Sequence, residues 1–265
     1  MPYRRVALVL GLASILLTPA ARGAPVEEIV QLPSENGSVE PYLLGRDDGH
    51  APAVVAVLFT GGAGTVGLLQ QGIPHPGGNF LVRSRGLFLA QGIATAVVDA
   101  PSDLGRLSDA ARMSERHARD IAAVVADVKR RFPEVRVYLV GTSRGTVSAA
   151  YAGAALGSSV QGVILSSTIF KASRGGSGLS GFDYRSIHSP LLLVHHVDDS
   201  CSVTPYGPAK QLGQTYPLIS VSGGDAPRSE PCEAFSAHGY LGVEAPTVAA
   251  MSRWMLGLGY PESIP

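Results

Sequence analysis

From Val135 to Thr146 the chain reads Val-Arg-Val-Tyr-Leu-Val-Gly-Thr-Ser-Arg-Gly-Thr, an apolar strand that meets Gly141-Thr142-Ser143-Arg144-Gly145 and then an alanine-rich stretch. A strand that turns directly into a helix makes a sharp bend, and a sharp bend brings backbone too close for a Cβ on either flank. That is a steric reason for both glycines. The residue at the apex is exposed, and here it is Ser143, a hydroxyl placed as a nucleophile needs. The pentapeptide alone is weak, because a chain with 32 glycines in 265 residues meets Gly-x-Ser-x-Gly by chance often enough. Its surroundings have to decide.

Those surroundings alternate. Residues 26–32 and 39–44 read as short strands around a turn at 33–37, and 53–59 is a continuous apolar run of the kind buried on both faces of a sheet. A Gly- and Pro-rich loop over 60–78 follows, then helical spacing over 80–91 and a second buried strand over 93–99. The longest helix signal spans 108–132, with Ile121, Val124, Val125 and Val128 on one face and Pro133 closing it. Beyond the bend come a helix over 146–156, strands at 160–166 and 191–195, a helix at 205–216, a strand at 218–221 and a last helix at 245–256. Strands alternating with helices of this length imply an α/β fold, a mostly parallel, doubly wound sheet with helices on both faces. The short stretch between the strands at 160–166 and 191–195 leaves little or no room for a lid.

The N-terminus differs from the rest. Arg4-Arg5 precede an apolar run from Val6 to Leu17 and then small residues, the plan of a secretory signal peptide. Ala21-Arg22-Gly23 places cleavage after Gly23, leaving 24–265 as one domain exported to the periplasm or medium. No later segment is long and apolar enough to span a bilayer. Twenty-one basic and 21 acidic residues balance, so charge suggests no nucleic-acid partner. Export also changes the meaning of Cys201 and Cys232: an isolated pair in an oxidising compartment reads as a disulfide.

A serine at neutral pH needs a base, and the base an orienting acid. Asp198 and Asp199 follow the strand at 191–195, and His238 sits in Phe235-Ser-Ala-His-Gly-Tyr240. Of the seven histidines only His238 lies C-terminal to that acid pair, giving the order Ser, Asp, His. In Gly141–Gly145, Leu192-Leu-Val-His-His-Val-Asp-Asp199 and Ala237-His-Gly239 the chain resembles the α/β-hydrolase superfamily, in particular serine hydrolases of the dienelactone-hydrolase and esterase type.

The resemblance implies Ser143, Asp199 and His238 as catalytic residues, with Asp198 the alternative acid. It implies an oxyanion hole from the N–H of Arg144 and one N–H of Thr60-Gly61-Gly62-Ala63, with Gly62 first and Gly61 or Ala63 as alternatives. The activity it implies is cleavage of a carboxylic ester or related acyl bond in a small or polymeric substrate, without cofactor or metal. Polyester-hydrolase-like members carry a cross-link comparable to Cys201–Cys232, although Thr142 replaces their usual Trp or His before the serine. Such a bond reads equally as a clamp on the acid and base loops and as general stabilisation.

Other signals compete. Gly62-Ala-Gly-Thr-Val-Gly67 formally matches a dinucleotide fingerprint, but Pro74 and Pro76 stand where its helix would run. His195, His196, Asp198 and Asp199 make a poor metal set, since adjacent strand residues point to opposite faces. Arg83, Arg85 and Arg144 are expected to be solvated rather than substrate-binding. Val66, Leu68, Leu69 and Ile73 are candidates for an acyl pocket. A non-catalytic binding protein of the same fold is the alternative of a different class, and the oligomeric state is not readable.

Overall fold

The computed structural model describes residues 24–75, 78–173 and 175–265, so the leader expected over 1–23 lies outside the described residues. Nine strands form one sheet: β1 (Pro25–Pro33), β2 (Val39–Asp47), β3 (Val54–Phe59), β4 (Ala94–Val98), β5 (Arg136–Thr142), β6 (Gly162–Ser166), β7 (Leu191–His196), β8 (Leu218–Val221) and β9 (Ser263–Ile264). Their spatial order is β1-β2-β4-β3-β5-β6-β7-β8-β9. The pairs β1–β2 and β2–β4 are antiparallel, and every pair from β4 to β9 is parallel. The helices are α1 (Leu68–Gln71), α2 (Phe80–Arg83), α3 (Arg85–Ala90), α4 (Asp109–Arg112), α5 (Glu115–Arg131), α6 (Gly145–Leu156), α7 (Tyr206–Leu212) and α8 (Glu244–Met255).

The period of two along β3 divides the core. Val55, Val57 and Phe59 join Ile121, Val124 and Val128 of α5 and Val147 of α6 in one layer. Val54, Ala56 and Leu58 join Phe80, Phe88, Val248 and Met251 on the other face. The chain leaves β3 for β4 on one side and then crosses to β5 on the other. The crevice outside the carboxyl ends of β3 and β5 is therefore a topological switch point, where α/β sheets place ligands.

Local capping explains where the sequence expectations needed revision. The helix expected over 108–132 is two: the Ser108 side chain accepts from Ala111 N–H and starts α4, and the Ser114 side chain accepts from His117 N–H and starts α5. The helix expected over 80–91 is also broken, at Ser84, where the backbone leaves helical geometry (φ −94°, ψ 2°) without a side-chain cap. The helix expected over 205–216 stops at Leu212, and the loop over 60–78 contains one turn of helix, α1. β9 has only two residues and no sequence signal. Between β6 and β7 the described residues hold one short 3-10 turn, Tyr184–Ser186, and no lid.

One core residue is electrostatically costly. Glu40 on β2 is fully buried, and neither carboxylate oxygen has a partner among the described residues. It shares a strand face with Tyr42, whose hydroxyl donates to Asp127 of α5 at 2.5 Å. Burial first, and then the negative charges of Asp120 and Asp99, push its pKa up from 4.5 to about 9. The folded state thus holds a proton that the unfolded chain releases near pH 4.5. Stability is fully present below that value and declines as pH rises toward 9. Glu40→Gln should be nearly neutral at pH 4 and stabilise by on the order of 3 kcal/mol at pH 7. Urea denaturation of both proteins at the two pH values checks this; a stability difference independent of pH would contradict it.

Candidate active site

The bend between β5 and α6 is sterically enforced. A Cβ on Gly141 would lie 2.4 Å from Gly145 O, and one on Gly145 would lie 2.0 Å from Phe59 O. Only glycine permits these approaches. Ser143 takes up the turn with φ +52°, a left-handed value unusual for a residue with a side chain. Its N–H donates to Ser166 O at 3.0 Å, so the strained peptide is pinned to β6. The side chain opens onto a cavity of about 270 Å³ that Gly61, Gly62, Asn79, Phe80, Cys232 and His238 also line.

Of the two candidate acids, the structure brings Asp199 to His238. Asp199 Oδ2 lies 2.9 Å from His238 Nδ1, and both residues are buried. Asp198 is exposed, and its N–H donates to His196 Nδ1 at 3.1 Å. The Asp199 carboxylate is held by its own loop: Oδ1 accepts from Cys201 N–H at 3.0 Å, and Oδ2 accepts from Thr204 Oγ1–H at 2.8 Å. Thr204 Oγ1 also lies 3.1 Å from His238 Nδ1. With the threonine proton given to Asp199, Nδ1–H of His238 is shared between the carboxylate and this hydroxyl oxygen. Nε2 is the ring nitrogen left for Ser143. Among the described residues no hydrogen bond joins the two, as is common before substrate closes such a contact.

His195, beside the acid, is a spectator. Its Nε2 donates to Thr204 O at 2.7 Å, and burial lowers its pKa to about 4 despite Asp199 nearby. It is neutral at pH 7, so His238 is the imidazole that hydrogen-bonds Asp199. The base loop is fixed just as closely. Ser236 Oγ accepts from His238 N–H at 3.2 Å, and Ser167 Oγ–H donates to His238 O at 2.8 Å. Tyr240 Oη–H donates to Val194 O at 2.8 Å. Thr204, Ser167, Tyr240 and Asn79 carried no sequence signal: Ser167 and Tyr240 act on partners distant in the chain, and Thr204 and Asn79 sit in loops that no motif marks.

Cys201 and Cys232 are bonded, with a Cα–Cα distance of 4.6 Å and a separation of 31 residues. The bond joins the acid loop to the wall of the serine cavity. Asp199, Cys201 and His238 place ligand-type atoms within 4.8 Å of one another. The sulfur is a disulfide rather than a thiolate, and the Asp and His already bond each other, so the set is poorly suited to a metal.

The remaining candidates separate clearly. Gly61 and Gly62 line the serine cavity, whereas Ala63 does not. Arg144, next to Ser143, has its N–H at the start of α6, where backbone donors lack helical acceptors. The three arginines are not solvated as expected but held within the chain. The Arg144 side chain pairs with buried Asp109 and donates to Gly175 O at 2.7 Å; Arg83 pairs with Glu244 and Arg85 with Glu27. The proposed acyl-pocket residues also fall elsewhere: Val66 and Leu69 line a different cavity, Leu68 is core, and Ile73 is exposed. A helix does begin after Gly67, but it lasts one turn, and Asp99 accepts from Val66 and Leu68 N–H there instead of facing a ribose.

Residues 91–206 match the family model described as serine aminopeptidase, S33, a span that includes Ser143 and Asp199 and ends before His238. No curated protein sequence matches significantly. Solved structures similar in fold include Est1E from Butyrivibrio proteoclasticus, 15% identical with a TM-score of 0.60 over 86% of this chain and 98% of that one. The esterase domain of a Rhodothermus marinus protein is 17% identical, with a TM-score of 0.57 over 86% and 97%. An α/β serine hydrolase without lid from Xanthomonas campestris is 15% identical, with a TM-score of 0.57 over 92% and 99%.

Replacing both cysteines by serine should lower stability by on the order of 3–4 kcal/mol, the loop-closure value for such a separation. It should also broaden or remove the downfield NMR resonance of the His238 Nδ1 proton at temperatures where the variant is still folded. An unchanged resonance would reduce the bond to stabilisation alone.

Proposed function

We propose that this chain, which has the α/β-hydrolase fold, is an exported serine hydrolase that cleaves a carboxylic ester or related acyl bond. The observation that carries the reading is the convergence on one cavity of Ser143, at a strained apex, and His238, whose Nδ1 is tied to buried Asp199. The serine hydrolase and esterases among its structural neighbours support the same reaction class, and they support an ester substrate in particular.

In the proposed mechanism Ser143 Oγ attacks the carbonyl carbon as His238 Nε2 takes its proton. Nδ1–H stays bonded to Asp199, which fixes the tautomer and stabilises the imidazolium. The oxyanion is held by the N–H groups of Arg144 and Gly62, two donors positioned before the reaction begins. Collapse expels the alcohol, protonated from Nε2. Water, deprotonated by the same nitrogen, then releases the acid from the acyl-enzyme.

Export is supported by the basic-apolar-small pattern of residues 1–23 and by the disulfide, a bond that persists in oxidising compartments. Among the described residues no helix is long and apolar enough to cross a membrane.

A fluorophosphonate probe should label the folded protein and fail to label Ser143→Ala; a folded wild-type protein that stays unlabelled sinks the reading. Asp199→Asn should lower kcat on a short-chain ester by about 10⁴-fold through loss of the correct tautomer. Asp198→Asn should stay within about twofold, and the reverse pattern would reassign the acid.

A further inference from the structure

We infer that the side-chain amide of Asn79 is a further catalytic donor, contributing a third hydrogen bond to the oxyanion alongside the two backbone N–H groups. The inference rests on Ser143 being the nucleophile. Asn79 precedes α2, and its Oδ1 accepts from Leu81 N–H at 3.0 Å. That bond settles the orientation of the amide. An NH₂ group cannot accept from an N–H, so the oxygen faces the helix and Nδ2 faces the opposite way.

The opposite way is the reaction centre. A Cβ built on Gly61 would lie 2.9 Å from Ser143 Cβ and 3.4 Å from Asn79 Nδ2, so both atoms border the one space that glycine leaves open there. A side chain at Gly61 would fill that space. Asn79, Gly61, Gly62, Ser143 and His238 line one cavity, and Nδ2 donates to no group among the described residues. A donor fixed by its own oxygen, unpaired and aimed beside the nucleophile, meets the requirement for electrostatic preorganisation: it needs no rearrangement as charge develops on the substrate oxygen. The residue thus has two separable jobs. The oxygen caps a helix and the nitrogen serves the site.

That separation provides the test. Serine is as good an N-cap as asparagine but has no amide nitrogen, whereas alanine has neither. We expect Asn79→Ser to keep the wild-type Tm and lose at least about tenfold in kcat with little change in KM, the pattern of an interaction made only in the transition state. Asn79→Ala should lose as much activity and also melt about 2–4 °C lower. Asn79→Asp keeps the cap and puts a negative charge beside the oxyanion, so its kcat should fall further than that of the serine variant. Affinity for a boronic acid that mimics the tetrahedral intermediate should fall in parallel with kcat.

If Asn79→Ser retains kcat within twofold while Asn79→Ala is only less stable, Asn79 is a cap and the inference is wrong. Should the serine variant fail to fold, Asn79→Thr, which also caps and also lacks an amide nitrogen, decides by the same criterion. Fluorophosphonate labelling of the wild-type protein reports on Ser143 independently of these outcomes, so failure of the nucleophile and failure of Asn79 are distinguishable.

Discussion

The close contact between the first residue of α6 and the last of β3 fixes more of this site than any other feature. With Gly145 packed so that a Cβ would stand 2.0 Å from Phe59 O, helix and strand touch backbone to backbone. Helix α6 is consequently seated deep against the sheet, and its buried Ala149, Ala150 and Gly153 maintain the close approach along its length. The same contact places Ser143 beside the loop that leaves β3, because Phe59 is followed at once by Thr60-Gly61-Gly62. Ser143 and the loop that carries Gly61 and Gly62 are thus brought together by one steric fact.

Strain and its restraint follow the same map. Four described residues other than glycine have positive φ, and three of them, Ser143, Ser167 and Tyr240, surround the site. Each is held by a long-range hydrogen bond: Ser143 N–H to β6, Ser167 Oγ–H to His238 O, and Tyr240 Oη–H to β7. Backbone in a sparsely populated region persists only where its surroundings over-determine it. Beneath the loop that follows β3, buried Arg112 supplies further restraint, donating to Thr60 O at 3.2 Å and to Ser148 Oγ at 2.9 Å. Burial lowers its pKa only to about 10, so it remains a cation at neutral pH.

What the sequence made legible was whatever depends on neighbours along the chain. The bend at 141–145 could be read because its sterics are local. The strands β3 to β7 could be read because burial on both faces leaves an uninterrupted apolar run. The order of acid and base followed from chain direction alone. The preference for Asp199 over Asp198 came from the resemblance alone, since adjacent residues share the same local surroundings in sequence. The choice is made by Thr204 and the Cys201 N–H, which hold one carboxylate, and by exposure of the other. The arginines misled for the opposite reason: their partners Asp109, Glu244 and Glu27 are remote in sequence, so a local reading left them in solvent. The breaks at Ser84 and Ser114 were hidden because a serine inside an apolar periodicity is ordinary: Ser114 breaks the helix by capping the next one, and Ser84 by its backbone geometry alone.

The disulfide explains how the two sides of the cavity differ. Cys232 forms part of its wall, while the Cys201 N–H holds Asp199 from behind, so one covalent link spans both the wall and the acid. As a clamp, the bond would make any movement of that wall pull on the contact between Asp199 and His238. The opposite wall, Asn79 and Phe80, has no covalent connection to the acid: it is held to the His238 loop by the contact of Phe80 with the Tyr240 ring and by the hydrogen bond from Arg83 to Gly239 O. The cysteine side is therefore constrained covalently, and the Asn79 side by a cap hydrogen bond and by packing against the loop that carries His238.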